Sequence, residues 1–196
     1  MISRMMIETD IPRLSRDDNR LAVHAGASDA GEVIRFAVGR CWLGMILAAA
    51  TEKGLCAILL GDDSDALVAD LRERFPEARL TDGGETFKPL MTKIIAFIEA
   101  PAHGLDLPLD PQGTAFHRRV WQALRGIPAG STASYTEVAT RIGAPKEAYA
   151  VAEACAANAL AVAIPCHRVV RKNGALAGYR WGVKRKRALL AREAAR

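Results

Sequence analysis

The chain has 196 residues, half of them hydrophobic and a quarter charged. It is long enough for one domain or two small ones with real cores, and no apolar run nears the length of a membrane span. The net charge of +5 conceals two opposed halves: residues 1–113 hold 12 Lys/Arg and 18 Asp/Glu, residues 114–196 hold 15 and 4, a net −6 against +11. A basic half on an acidic chain points to a polyanion partner, nucleic acid ahead of a merely solvated surface.

The start, MISRMMIETDIPRLSRDD, has early acids and no apolar leader, which reads as a cytoplasmic protein. Cys41, Cys56, Cys155 and Cys166 show no C-x-x-C spacing. They are expected to be reduced thiols, and no metal is expected. Residues 1–30 are polar and without period, and read as a flexible extension. Strands are predicted at Val33–Val38 and Cys41–Ala50, then a turn at Glu52-Lys53-Gly54 and a return strand at Leu55–Leu60. Asp62 or Asp63 caps a helix with Leu67, Leu71 and Phe75 on one face, which Pro76 stops. Phe87, Leu90, Met91, Ile94, Ile95 and Ile98 mark an amphipathic helix over Thr86–Ala100. Leu105–Leu109 suits an edge strand. Nothing in this small α+β half resembles a nucleophile, a base or a phosphate loop.

Asp110-Pro111-Gln112-Gly113 is a turn-rich hinge where the charge changes sign, and the domain boundary is placed there. A helix from Thr114 through Phe116, Val120, Trp121 and Leu124 follows. Ser134 and Glu137 fit a capping box opening a short helix that ends at Gly143. A second helix is predicted over Lys146–Ala157, with Pro145 at its start. Two short helices with a Gly-containing turn form the helix-turn-helix pattern, a weak signal that gains weight inside the basic half. The last helix, Val183–Ala195, reads as a solvated basic helix burying Leu189 and Leu190. Between these lies Ile164-Pro165-Cys166-His167-Arg168-Val169-Val170, a soft nucleophile beside a base where proline makes the chain turn. A Cys-His pair alone is weak, since free cysteine is among the most buried residue types.

Pro165-Cys166-His167-Arg168-Val169-Val170 is preceded by Ala-Ala-Asn ending at Asn158 and followed by Gly178-Tyr179-Arg180-Trp181-Gly182-Val183. With Gly113-Thr114-Ala115-Phe116, Val120-Trp121-Gln122-Ala123-Leu124 and Ser134-Tyr135, this half resembles the O6-alkylguanine-DNA alkyltransferase family, over roughly residues 35–196. The resemblance implies an α+β N-terminal domain over residues 31–110, with a small antiparallel sheet, helices and a ribonuclease-H-like fold. A mostly α winged-helix or helix-turn-helix domain over 111–196 would follow. It implies one-time transfer of an alkyl group from guanine O6 in double-stranded DNA to Cys166, by a monomer, with no cofactor. By the same resemblance His167 activates Cys166 through a water, Glu193 orients His167, and the thiol pKa is lowered. Asn158 braces the loop, and Tyr135 contacts the base and offsets charge on the leaving purine. Tyr179 and the Arg180 backbone close over the flipped base, while carbonyls near Cys166 and Val169 read the guanine amino group.

Each of these residues has a bland reading when taken singly: a turn cap for Asn158, packing for the tyrosines, a surface acid for Glu193. Their joint spacing from Cys166 favours the functional one. One departure stands out. The family usually has an arginine where this chain has Tyr149, and the segment Lys146–Glu153 carries one Lys and two Glu. Either Tyr149 acts as an aromatic wedge in DNA, or duplex engagement is weakened in favour of free base, single strands or a partner protein. A non-transferring lesion sensor or regulator and a cysteine hydrolase are the competing functions.

Overall fold

Apolar alternation after Glu32 builds a sheet. In the computed structural model, which describes residues 31–195, β1 (Val33–Cys41) and β2 (Gly44–Ala50) form an antiparallel hairpin, and β3 (Leu55–Gly61) returns along β2. The extension expected over residues 1–30 lies outside the described residues. The hairpin corner falls at Cys41–Gly44, so β1 runs through Cys41 where β2 was expected to begin. Gly44 has φ +113°, and a Cβ there would lie 2.6 Å from the Gly61 carbonyl oxygen. Glycine alone fits that corner.

Asp63 accepts a hydrogen bond from the Ala66 N–H at 2.8 Å and caps α1 (Ser64–Arg74). Leu67 and Leu71 pack this helix on β2 and β3. The helix is a crossover: it leads to β4 (Arg79–Asp82), which pairs parallel with β1 and gives the order β3-β2-β1-β4. The sheet is therefore mixed, not purely antiparallel as expected. A parallel neighbour needs such a crossover, and the four residues RLTD carry too little apolar pattern to announce a strand. Next, α2 (Gly84–Glu99) lays Phe87, Met91, Ile94 and Ile98 into the core beside β1. The edge strand expected at Leu105–Leu109 does not form. Only a single bridge appears, in which Leu55 N–H donates to Pro108 O at 2.9 Å and Asp110 N–H to Leu55 O at 2.7 Å. Pro108 has no N–H to extend the ladder.

In the basic half Thr114 caps α3 (Ala115–Arg125), which buries Val120, Trp121 and Leu124. Trp121 Nε1 donates to Ala154 O at 2.8 Å, tying α3 to the helix that holds Ala154. After β5 (Ala133–Ser134), the Ser134–Glu137 capping box is present as expected and opens α4 (Tyr135–Arg141). α5 (Ala148–Ala157) starts two residues later than predicted. Glu147 N–H bonds Ala144 O at 2.9 Å and closes a turn, which leaves Pro145 and Lys146 outside the helix. β6 (Val169–Val170) pairs parallel with β5. The last helix, α6 (Val183–Ala194), is not simply solvated. Lys186, Leu189 and Glu193, spaced i, i+3, i+7 on one face, are buried, whereas Leu190 is half-buried.

The halves meet along β3. Ile58 N–H donates to Ala159 O at 2.8 Å, and Ala161 N–H donates to Ile58 O at 2.9 Å. Leu55 to Leu60 are all buried although β3 ends the strand order. Arginines of the basic half reach acids of the first: Arg180 to Asp70 at 2.7 Å, Arg185 to Asp62 at 2.5 Å, Arg192 to Glu99 at 2.9 Å. Arg192 also stacks 4.6 Å over the Trp42 ring.

Gly113, just before α3, is buried, and a Cβ there would lie 2.6 Å from Trp121 Cη2. Gly113→Ala should cost about 1–3 kcal/mol of stability, seen as a lower urea midpoint at unchanged m-value.

Candidate functional site

The last turn of α5 hands the chain to a loop that returns under it. Asn158, fully buried, is the hand-over residue. Its Nδ2 donates to Ile164 O at 2.9 Å and to Leu160 O at 3.4 Å, and its Oδ1 accepts from Leu160 N–H at 2.8 Å. One amide thus pins both ends of the loop. The same Nδ2 lies 3.3 Å from Cys166 Sγ. Within the loop Val162 has φ +66°, a left-handed conformation that a β-branched residue adopts only under constraint. After Pro165 a single 3-10 turn, Cys166–Arg168, brings three chemically active side chains inside, all of them buried.

Glu193, near the end of α6, lies opposite that turn. Its Oε1 is 3.0 Å from His167 Nε2 and 2.8 Å from Arg168 Nη2, and its Oε2 accepts from Arg168 Nε at 3.0 Å and from the Gly130 N–H at 3.3 Å. Burial alone would raise its pKa. The bonds from His167 and Arg168 outweigh that and hold it at about 2. An ionised carboxylate only accepts, so Nε2 of His167 carries a proton. Burial also lowers the His167 pKa, against the raising pull of Glu193. The ring is therefore neutral near pH 7, and its lone pair is on Nδ1. Nδ1 is buried and has no hydrogen-bond partner among the described residues.

The thiol does not behave as expected. Cys166 is 4% exposed, and burial pushes its pKa up to about 11 although the Asn158 amide and Lys186 pull it down. The expected depression fails because burial penalises thiolate more than one amide and one ammonium offset. Lys186 was not singled out from the sequence, where it is one more basic residue on a basic helix. The available signal was its i, i+3, i+7 spacing with Leu189 and Glu193. Fully buried, its Nζ donates to Val169 O at 2.6 Å and to Gly178 O at 3.4 Å. Burial lowers its pKa, while Cys166 and Cys155 raise it. Arg168 was likewise unassigned from the motif, yet besides Glu193 it bonds Ile127 O at 2.6 Å.

Tyr135 opens α4, and Tyr179 is half-buried with its ring edge-on to His167 at 6.4 Å between centroids. Burial raises both phenol pKa values, with Cys166 adding to each, so both remain protonated donors. The Tyr179 hydroxyl has no hydrogen-bond partner among the described residues. Cys166, His167, Glu193, Asn158, Tyr135 and Tyr179 thus form one cluster. The remaining expected site residues lie elsewhere or are already engaged. The Arg180 side chain is held by Asp70. Val169 O already accepts from Lys186, and Cys166 O from the Val169 N–H. Lys146 sits exposed in the turn before α5, and Tyr149, in the first turn of α5, is 60% exposed.

Residues 115–195 match the model of the 6-O-methylguanine DNA methyltransferase DNA-binding domain. The inducible methylated-DNA–protein-cysteine methyltransferase of Bacillus subtilis is 37% identical over 145 residues, covering 72% of this chain and 80% of that protein. The chain belongs to the methylated-DNA–protein-cysteine methyltransferase family. The bifunctional transcriptional activator/DNA repair enzyme Ada of Escherichia coli is 52% identical over 161 residues, 82% of this chain, which spans about half (46%) of that family member. Among solved methyltransferase structures, the O6-methylguanine methyltransferase of Mycobacterium tuberculosis superposes with a TM-score of 0.67 at 32% identity, covering 83% of this chain and 94% of that one. The same TM-score, 0.67, is found for the M. tuberculosis OGT in complex with DNA.

The thiol and its carboxylate support can be tested separately. Cys166 in the free protein should react with iodoacetamide along a pH profile that climbs toward about 11. Asn158→Ala should move that profile further up, since the amide is a lowering influence. Peptide mapping of the adduct reads both, and a wild-type midpoint below 9 contradicts the buried-thiol account. Glu193→Gln should cost about 3–5 kcal/mol because Arg168 is left buried without its counter-charge. Folded, Glu193 binds its proton less readily than unfolded. Its contribution is therefore full above pH 4.5 and is lost as pH falls toward about 2. The variant should lack that acid step in urea denaturation measured across pH.

Proposed function

We propose that this chain repairs DNA by moving an alkyl group from O6 of guanine, within a duplex, directly to Cys166. The observation that carries the reading is the neutral His167, held through Nε2 by Glu193 with Nδ1 left as a buried free base, next in sequence to a thiol that Asn158 touches. A water between Nδ1 and Sγ takes up the thiol proton as Sγ attacks the alkyl carbon. The S–C bond forms, the C–O6 bond breaks, and the proton passes to the guanine. Tyr135, kept protonated by burial, donates toward the purine as it gains charge. Lys186 offsets the thiolate while it exists. The thioether is stable, so each molecule acts once, as a monomer and without a cofactor.

The target carbon lies inside the base stack, so the nucleotide must be extruded. Tyr149 is the aromatic positioned to take its place in the stack. Tyr179 and the backbone of Arg180 close over the base, Cys166 O and Val169 O read its amino group, and Lys146 lies against phosphate. We assign residues 31–110 to a ribonuclease-H-like domain and 111–196 to a winged-helix or helix-turn-helix domain. Among the described residues no helix is long and apolar enough to cross a membrane, in keeping with work on DNA. The sensor reading has only the acidic α5 in its favour, and a cysteine of this kind is not needed for sensing.

Incubation with a duplex containing O6-methylguanine should place one methyl on Cys166, mapped by mass spectrometry, and Cys166→Ser should abolish it. Tight binding with no adduct would sink the transfer reading in favour of a sensor, and multiple turnovers would favour a hydrolase. Tyr149→Ala should slow transfer from duplex about 10–100-fold more than from free O6-methylguanine, the worth of one stacked base. Equal slowing of both removes Tyr149 from extrusion.

A further inference from the structure

The arginines of the basic half differ in their partners. Arg168, Arg180, Arg185 and Arg192 each bond a carboxylate of the fold. Arg118 and Arg119 on α3 and Arg141 at the end of α4 are exposed, and among the described residues none has a carboxylate within ion-pair distance. Arg118 donates to Gly113 O, and Arg119 Nη2 donates to Ile142 O at 2.5 Å. Bonds to backbone carbonyls fix the direction of a guanidinium without neutralising it. The nearest acid on α4, Glu137, is engaged one turn earlier, accepting from the Ser134 N–H at 2.6 Å.

These three arginines and Gln122 line an open cleft of about 720 Å³ whose floor includes Ala123 and Ile142. A lone inorganic ion needs no apolar floor. A sugar–phosphate chain does: the guanidinium forks match phosphate oxygens and the floor accepts deoxyribose. The position of the cleft suits such a chain. Ile142 leads straight into the turn that carries Lys146 and then to α5, where Tyr149 protrudes. From Ala148 to Ala157 α5 has one acid, Glu153, and no basic residue, and Glu147 stands at its cap. That helix cannot supply the cationic contacts that duplex binding requires.

We propose that the Arg118–Arg119–Arg141 cleft is a phosphodiester-binding site, which grips the DNA backbone beside the helix pair and supplies the cationic contacts that α5 lacks. The identity of the strand as DNA rests on the repair reading. The site adds affinity without base recognition, and it acts on substrate in a duplex but not on a free base.

The test is a salt titration of binding to an unmodified duplex, comparing wild type with Arg118→Gln/Arg119→Gln/Arg141→Gln and with Arg141→Gln alone. The slope of log K against log salt should become shallower by about 1 for the single variant and by about 3 for the triple. Methyl transfer to Cys166 from free O6-methylguanine should stay at the wild-type rate in both. An unchanged slope in a folded triple variant overturns the proposal. If the triple variant does not fold, Arg141→Gln decides, because the Arg141 side chain makes no hydrogen bond or ion pair among the described residues, and an unchanged slope there overturns it equally. Thermal stabilisation of wild type, but not of Arg141→Gln, by thymidine monophosphate with no change in slope assigns the cleft to a free nucleotide and also overturns it. Failure of the repair reading has a different signature: no methyl on wild-type Cys166, whatever the slopes.

Discussion

A carboxylate that is 5% exposed and ionised is the constraint on which this architecture depends. Glu193 is tolerable inside only because three partners from two segments meet it: His167 and Arg168 of the 3-10 turn, and the Gly130 N–H. Buried ion pairs of this kind seldom stabilise a fold relative to apolar packing, but leaving one member alone is severe. The arrangement therefore acts mainly through geometry. It fixes the rotation of α6, which carries Lys186 inward on the same face as Glu193. It draws the 3-10 turn in against α6. It also decides which nitrogen of His167 has the proton, and with it the chemistry available next to the thiol.

The resting thiol and the proposed reaction are compatible once the base is considered as part of the site. A pKa of about 11 describes the buried thiol. Thiolate becomes accessible only while its proton has somewhere to go, and in the proposed reaction that acceptor is Nδ1 of His167. Lys186, buried without a carboxylate partner among the described residues, is held by two carbonyl oxygens and supplies positive charge close to the sulfur. A cysteine that stays protonated until a substrate arrives is protected from adventitious alkylation and oxidation, a useful property for a residue proposed to react once.

Much of this was legible beforehand, for identifiable reasons. The three antiparallel strands, α1, α2, α3 and the Ser134–Glu137 box follow from period and capping chemistry that local sequence carries in full. β4 did not show, because its pairing is made by a crossover and not by its own four residues. Leu105–Leu109 alternates like a strand, yet Pro108 limits it to one bridge. In the site, the resemblance to the alkyltransferase family named Asn158, Tyr135, Tyr179 and Glu193 alongside Cys166. Burial was invisible, and burial is what reverses the thiol expectation and turns Lys186 from a surface charge into an interior one. The pairing of Arg180 with Asp70 joins residues 110 positions apart, a relation that no local pattern encodes.

The outer edge of β3 is closed by two late arrivals, the backbone at residues 108–110 and the loop at 159–161. Synthesis runs from the N-terminus, so for an interval the nascent chain displays a six-residue apolar strand with one side unpaired. Such an edge is a template for strand addition by a neighbouring chain. The segment that finally covers it is the one that positions Cys166. Completing the sheet and assembling the reactive centre are therefore one event in the life of the polypeptide, and a chain interrupted before residue 161 is left both unreactive and prone to aggregate.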